Sequence, residues 1–293
     1  MKIFDCTTYY SEDLMLDVRF NILNEHVYKF IIVESVFSHR GKKKNLNFDI
    51  NKFSKFKDKI IYLVIEKEPE NIVNQNNINS AIKRMNSIKR IEQSYNYMMR
   101  GISEAEDNDL ICVSDNDEIP NFNSKHFQNS NNDIFIFEQL FFYYKFNLFY
   151  DLMPWYGTKA CKMKKLKSFA WLRNLKNKKY PFWRIDTFFS ELKQRDLQIV
   201  KNGGWHFTNV KTPEEIFEKL SNFGHHNEFD ESGIAIDDIK KSIENKIVHY
   251  DHSADLKKSN KYDAEYKLKK IEDKFLPKYL VLNKQNYKDW FDI

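Results

Sequence analysis

Three acids fall within four positions of the stretch 109–120, DLICVSDNDEIP: Asp115, Asp117 and Glu118. Hard carboxylate oxygens so spaced suit Mg2+ or Mn2+ and, through the metal, a substrate diphosphate. The same residues could instead form an acidic turn, with Asp115 or Asp117 capping a following helix. Position favours the metal. The acids follow the apolar run Leu110, Ile111, Cys112 and Val113, which reads as a buried parallel strand, and Pro120 closes the stretch. In an open α/β sheet, ligands sit outside the carboxyl ends of the strands.

Such a turn needs a sheet to hold it. Residues 2–7 read as a short strand. Ser11 reads as the N-cap of a helix with Glu12 and Asp13 in its first turn and Leu14, Leu16, Val18, Phe20 and Leu23 on its apolar side. Residues 27–36 form a second strand ending near Glu34 and Ser35, another carboxyl-end position. A basic loop follows over 37–47, FSHRGKKKNLN, and a third strand over 60–65. Residues 77–106 carry Ile78, Ile82, Met85, Ile88, Ile91, Tyr95, Met98 and Ile102 at helical spacing, with Arg84, Arg90 and Arg100 on or beside the helix. Strand, helix and returning parallel strand make a βαβ unit.

Beyond 133 the pattern turns aromatic. Residues 134–149 read as one or two strands, and Trp155 and Gly157 as a turn before a basic segment. The lysine-rich run 162–179 lacks any RNP-like or helix-turn-helix signature, so it reads as a solvated face rather than a nucleic-acid surface. A helix is expected over 188–197, then a strand, QIVKNGGWHFT, ending at Gly203, Gly204, Trp205 and His206. Thr212, Pro213 and Glu215 spell a capping box for a helix ending near Gly224. The expected fold is α/β: a Rossmann-type, mostly parallel sheet flanked by helices over 1–230, its halves meeting at 120, with 231–293 a helical C-terminal extension packed on it.

Composition narrows the function. The 293 residues hold 25 Phe and 16 Tyr but only 7 Gly, and no GxGxxG or GxxxxGK[ST] is present, which argues against a glycine-cradled nucleotide site. A net charge of +5 favours an anionic partner without requiring nucleic acid. Cys6, Cys112 and Cys161 are scattered and odd in number, so buried reduced thiols are expected and zinc is not. With no signal peptide and no apolar run of membrane-spanning length, the expected place is the cytoplasm, including the inner face of a membrane. A two-metal phosphohydrolase would need more clustered His and Asp. A basic nucleic-acid or lectin-like binder would leave the SDNDEIP acids unexplained.

Five segments, in order, resemble glycosyltransferase family 17, the group that includes the bisecting β-1,4-N-acetylglucosaminyltransferase of N-glycans. They are FDCTTYYSEDLMLDVRFNIL with Arg19, KFIIVESVFSHRGKKK with Glu34, Gly41 and Lys42, VSDNDEIP, GGWHFTNVKTPEEIFEKL with Thr212, Pro213, Glu214 and Lys219, and LPKYLVLNKQNYKDWF. Where members often carry a Gln-Arg pair, this chain has Ser94 and Tyr95. The resemblance implies a GT-A fold and an inverting transfer from a nucleotide-sugar donor, most simply UDP-N-acetylglucosamine, to a glycan or glycoconjugate acceptor, with Mn2+ or Mg2+ as cofactor. The absence of an anchor and stem points to a microbial or viral surface glycan rather than a Golgi N-glycan.

The resemblance also implies roles. Asp117 would contact the metal, Asp115 the metal or the donor ribose, and His206 is a candidate third ligand; the alternative is a structural histidine packed beside Trp205. Thr7, Glu34, Arg90, Asp115 and Glu118 are expected on the donor side, Glu118 also as a residue that orients its neighbours. Trp155, Trp205, His226 and Glu228 are expected on the acceptor side. By analogy with other GT-A enzymes the general base should be Glu191 or Asp186, with Glu138 a further candidate.

Overall fold

The computed structural model describes residues 1–73, 79–181, 183–223, 226–252, 261–262 and 264–293. Asn77, Ile78 and Gly224, named above, lie outside the described residues. The strands are β1 (Ile3–Thr8), β2 (Lys29–Ser35), β3 (Ile60–Ile65), β4 (Leu110–Ser114), β5 (Glu118–Pro120), β6 (Ile134–Tyr143), β7 (Leu148–Phe149), β8 (Trp155–Lys162), β9 (Gln198–Val200), β10 (Gly204–Thr208), β11 (Ile247–Val248), β12 (Tyr266–Lys267) and β13 (Lys269–Lys270). The α-helices are α1 (Asp13–Leu23), α2 (Ser80–Tyr97), α3 (Lys125–Gln128), α4 (Phe169–Asn174), α5 (Pro213–Asn222), α6 (His226–Ser232), α7 (Ile236–Asn245) and α8 (Lys278–Leu282).

One large sheet runs β13-β7-β6-β8-β4-β1-β2-β3, with β9 and β10 also on β6 and β5 on β10. Strands β4, β1, β2 and β3 are mutually parallel. Their near-continuous Ile, Val, Leu and Phe content follows from burial on both faces. The chain winds outward from β1 through β2 to β3, then returns through α2 to place β4 on the other side of β1. The carboxyl ends of β1 and β4 therefore meet where the winding reverses, the crevice in which open α/β sheets bind ligands. The fold class is the expected one.

Several local expectations change. Residues 155–162 form a strand inserted antiparallel between β4 and β6, not a turn, because Ala160 and Cys161 bury fully against the sheet. No helix forms over 188–197: a 3-10 turn occupies Ile185–Thr187, and Phe188 and Phe189 are exposed, so the segment has no apolar stripe to bury. The expected strand ending at His206 is two strands, broken by Asn202 in a left-handed conformation (φ 51°), and His206 lies in the middle of β10. Glu12 rather than Ser11 precedes α1, its carboxylate turning back to the N–H groups of Tyr10 and Ser11. The capping box at Thr212 and Glu215 forms as read, with both reciprocal hydrogen bonds.

The segment beyond 230 is woven into the rest. β13 adds to β7, and Ile239, Val248 and Leu268 share a buried cluster with Phe141, Tyr143 and Tyr150. The Tyr287 hydroxyl donates to Asp17 on α1, and Phe291 packs on Phe146 with ring centroids 5.6 Å apart. All three cysteines are buried free thiols. No helix among the described residues is long and apolar enough to cross a membrane.

Candidate active site

A cavity of about 770 Å3 opens over the carboxyl ends of β1 and β4, its far wall formed by α5, α7 and the residues after β11. Asp115 and Asp117 sit at its floor. The turn that carries them is shaped from beneath by Arg19, a fully buried arginine on α1. Its guanidinium holds both oxygens of Asp5 (2.7 and 2.5 Å) and donates to the Ser114 hydroxyl (3.0 Å) and to the carbonyl of Glu118 (2.8 Å). An arginine fork can satisfy several acceptors in one plane, so a single side chain fixes both the β1 floor and the acidic turn.

The pairing of β5 with β10 does the rest. It places His206 opposite Glu118, and the Phe207 N–H donates to the Asp117 carbonyl (2.8 Å). Gly204 makes this pairing possible: its φ is +129°, and a Cβ there would lie 2.1 Å from the Ile119 carbonyl oxygen. The imidazole Nε2 of His206 then stands 3.5 Å from Asp117, whose other oxygen is 3.3 Å from Lys219 on α5. Burial would raise the Asp117 pKa, but Lys219 and His206 pull it well below the usual carboxylate range, so it is ionised.

His206 is clamped between aromatic rings: Phe141 stacks at 4.7 Å and Trp155 at 4.5 Å. Its buried Nδ1 has no hydrogen-bond partner among the described residues. The Trp155 indole N–H donates to Glu118 (2.7 Å), and Glu118 also accepts the Asp115 N–H (2.9 Å). Burial and the neighbouring Asp115 raise the Glu118 pKa to about 7. Glu118 does not line the cavity; it braces the turn from behind. Trp155 borders the cavity but spends its face on His206.

Asp115 accepts from the Tyr95 hydroxyl of α2 and lies 3.5 Å from Arg173 of α4, whose guanidinium sits over the Tyr95 ring at 4.6 Å. Tyr95, at the departure from the family pattern, thus reaches the acidic turn. Arg173 was hidden in a lysine-rich segment that reads as solvated surface. Further along, His252 lines the cavity against Phe141 and Tyr143, with its Nε2 2.8 Å from the Tyr143 hydroxyl. Burial, with His206 close by, lowers its pKa to about 3. Nothing in the sequence around His252 signals this placement.

The other expected positions fall differently. Thr7 is fully buried, and strand alternation presents Thr8 to the cavity instead. Glu34 is buried beneath it, accepting from Lys44, the Tyr62 hydroxyl and the N–H groups of Asn47 and Phe48; it ties down the basic loop. Arg90 does reach the cavity, but its guanidinium is held by Glu68 (2.8 and 3.0 Å) and by the His39 carbonyl. Trp205 turns away and donates to the Phe275 carbonyl. His226 and Glu228 on α6 do not line the cavity. Asp186 is paired with Arg184 and Lys193, and Glu191 with Lys167, both on the surface segment after α4. Glu138 is engaged by Tyr156 and Lys201. None of these three lines the cavity. Among the described residues the cavity's carboxylates are Glu12, Asp115, Asp117 and Asp238.

The sequence model of glycosyltransferase family 17 matches residues 1–290. The chain belongs to glycosyltransferase family 17. A family 17 glycosyltransferase moves a sugar from a donor to a glycan acceptor. No curated protein matches the sequence. Among solved structures the fold has a partial likeness to 2-C-methyl-D-erythritol 4-phosphate cytidylyltransferase of Francisella tularensis. Identity is 10%, with 56% of this chain and 74% of that one covered and a TM-score of 0.29.

The fit of a divalent metal can be judged on the donor set. Among the described residues no group of three or more His, Cys, Asp or Glu side chains converges as a complete cage. Asp117 and His206 do converge, one ionised carboxylate and one imidazole 3.5 Å apart. Two protein ligands would leave open positions for water and substrate oxygens, and the carboxylate is the ligand type that suits Mg2+ or Mn2+. The pair fits such an ion.

Proposed function

We propose that the chain transfers N-acetylglucosamine from UDP-N-acetylglucosamine, with inversion, to a hydroxyl of a glycan, using Mn2+ or Mg2+ held by Asp117 and His206 with Asp115 beside them. The observation that carries this reading is the convergence of Asp117, His206 and Lys219 at the reversal point of the sheet in a family 17 chain. When bound, the divalent ion would act as a Lewis acid toward the departing diphosphate.

The protein's own groups supply the rest. Arg173 and Lys219 line the cavity on either side of the acidic turn, where their charges meet a diphosphate directly. Thr8, Ser35 and Ser38 offer hydroxyls at the β1 and β2 ends for the nucleoside. The acceptor side is the α7 wall with Tyr250 and His252. For the general base we propose Asp238 in place of the surface acids. It lines that wall with one oxygen accepting the Ala235 N–H. Glu12 is a poorer base: its carboxylate is held by Asn116 and two backbone N–H groups with Lys211 close by, and its pKa is lowered.

The test is a melting-temperature screen of sugar nucleotides with and without Mn2+, because a ligand of the folded state raises its stability by mass action. A shift with UDP-N-acetylglucosamine that requires Mn2+ and disappears in Asp117→Ala is expected. A Mn2+-independent shift, or one that Asp117→Ala preserves, would refute the metal site; a shift only with another nucleotide would refute the donor. Turnover that depends on an added glycan acceptor and falls at least about 100-fold in Asp238→Asn is expected of the base.

A further inference from the structure

The segment after α4 carries the most exposed run of large apolar side chains in the described protein. Trp183 is 67% exposed, Ile185 70%, Phe188 72% and Phe189 87%. This is no frayed strand end. Thr187 is buried, its hydroxyl donating to the Arg184 carbonyl (2.6 Å) and accepting from Arg195 (2.6 Å), and the Arg195 guanidinium also reaches the Arg184 carbonyl (2.9 Å). The 3-10 turn is thus built from within and displays its apolar side chains outward.

The base of the segment is also fixed. The Lys176 N–H bonds the Leu192 carbonyl, and the Trp171 indole bonds the Glu191 carbonyl. Four large apolar side chains within seven residues leave a large apolar area in water. Isolated exposed apolar residues are ordinary; a contiguous cluster marks a contact surface.

Charge says what kind of surface. Residues 176–195 contain six cations, Lys176, Lys178, Lys179, Arg184, Lys193 and Arg195, against two acids, Asp186 and Glu191. Lys176, Lys178 and Lys179 are exposed on the same segment, and Arg184, also exposed, is paired with Asp186. An aromatic and aliphatic tip beside exposed lysines on the same segment matches the boundary of an anionic bilayer: rings enter the headgroup region and lysines meet lipid phosphate.

We propose that this loop docks the protein on the surface of an anionic lipid bilayer, with Ile185, Phe188 and Phe189 entering the headgroup layer and Lys176, Lys178 and Lys179 on lipid phosphates. The loop is continuous with the cavity through α4, the helix that carries Arg173. Docking is a property of this surface and does not depend on the choice of sugar donor.

The test is co-sedimentation of the full chain with vesicles of equimolar phosphatidylglycerol and phosphatidylcholine, against phosphatidylcholine alone. Binding to the anionic vesicles is expected, weakened by salt, and at least about tenfold weaker both to neutral vesicles and for the variant Ile185→Ser/Phe188→Ser/Phe189→Ser. Those positions are exposed, so the variant should melt where the wild type does; an unchanged melting curve keeps the comparison valid. Brominated lipid should quench a fluorescence component that is absent in Trp183→Phe. Absence of wild-type binding to anionic vesicles, equal binding by the serine variant, or a dimer that the serine variant dissolves in place of vesicle binding would each overturn the proposal.

Discussion

Replacing Arg19 by Met would separate the stability of the acidic turn from its chemistry. Arg19 is fully buried, and so is Asp5. The substitution leaves the Asp5 carboxylate without its two charge-assisted partners at 2.7 and 2.5 Å. The Glu118 carbonyl keeps the Thr158 hydroxyl at 3.1 Å, and Ser114 keeps its contact with Thr158 at 2.9 Å, so most of the loss falls on Asp5. Breaking a buried pair from one side costs about 3–5 kcal/mol. For a chain of this size that lowers the melting temperature by roughly 10 °C. In Asp5→Leu/Arg19→Met the orphaned charge is gone, and at least about half of the lost stability should return. Donor binding should not return with it, because the double variant still lacks the guanidinium under the turn. The assay is urea unfolding of wild type and both variants, alongside titration with Mn2+ and UDP-N-acetylglucosamine. A loss below about 1 kcal/mol in the single variant, or full donor affinity in the double, would refute the argument.

Gly204→Ala should destabilise by about 3 kcal/mol or more, because the new methyl must displace the Ile119 carbonyl at a positive φ, and the β5–β10 register should loosen with it. Chemical denaturation gives the number, and loss of the Mn2+-dependent melting shift reports the displaced His206. Two buried groups tilt stability against pH in opposite senses. The His252 pKa falls from 6.5 to about 3 on folding, so the unfolded chain takes up the proton first; its contribution is complete above about pH 6.5 and shrinks by about 2 kcal/mol by pH 5. The Glu118 pKa rises from 4.5 to about 7, so its contribution is complete below about pH 4.5 and is lost as pH climbs through 7. Melting curves over pH 5–7.5 should therefore become more acid-tolerant in His252→Phe and less alkali-sensitive in Glu118→Gln.

The floor of the site was legible because it is local. An apolar run ended by acids announces a strand and a carboxyl-end turn, and Thr212 with Glu215 announces a helix start, from residues that touch one another in sequence. The walls were not legible, because they are assembled by register. His206 meets Asp117 only because β10 pairs with β5, and Glu118 faces away from the cavity only because Trp155 sits on a strand that read as a turn. Arg173 and Lys219 are common residue types whose meaning comes from the helix face they occupy. His252 lies in a polar stretch with no periodicity at all. The acids Asp186 and Glu191 were expected by analogy alone, and in the structure they sit in surface ion pairs away from the cavity.

The hydrogen bond between Tyr287 and Asp17 spans 270 residues, and it sets a timetable for biosynthesis. At about 5–20 residues per second, α1 emerges from the ribosome tens of seconds before the tyrosine that completes its outer face. Through that interval the nascent chain carries Phe146 without Phe291 and an unfinished sheet edge at β7. Such surfaces are what holding chaperones grip, so production of the enzyme should track chaperone supply more closely than its thermodynamic stability suggests. Proteolytic clipping just before Tyr287 would recreate the same half-made state in a finished molecule, disturbing a cavity that the removed residues do not line.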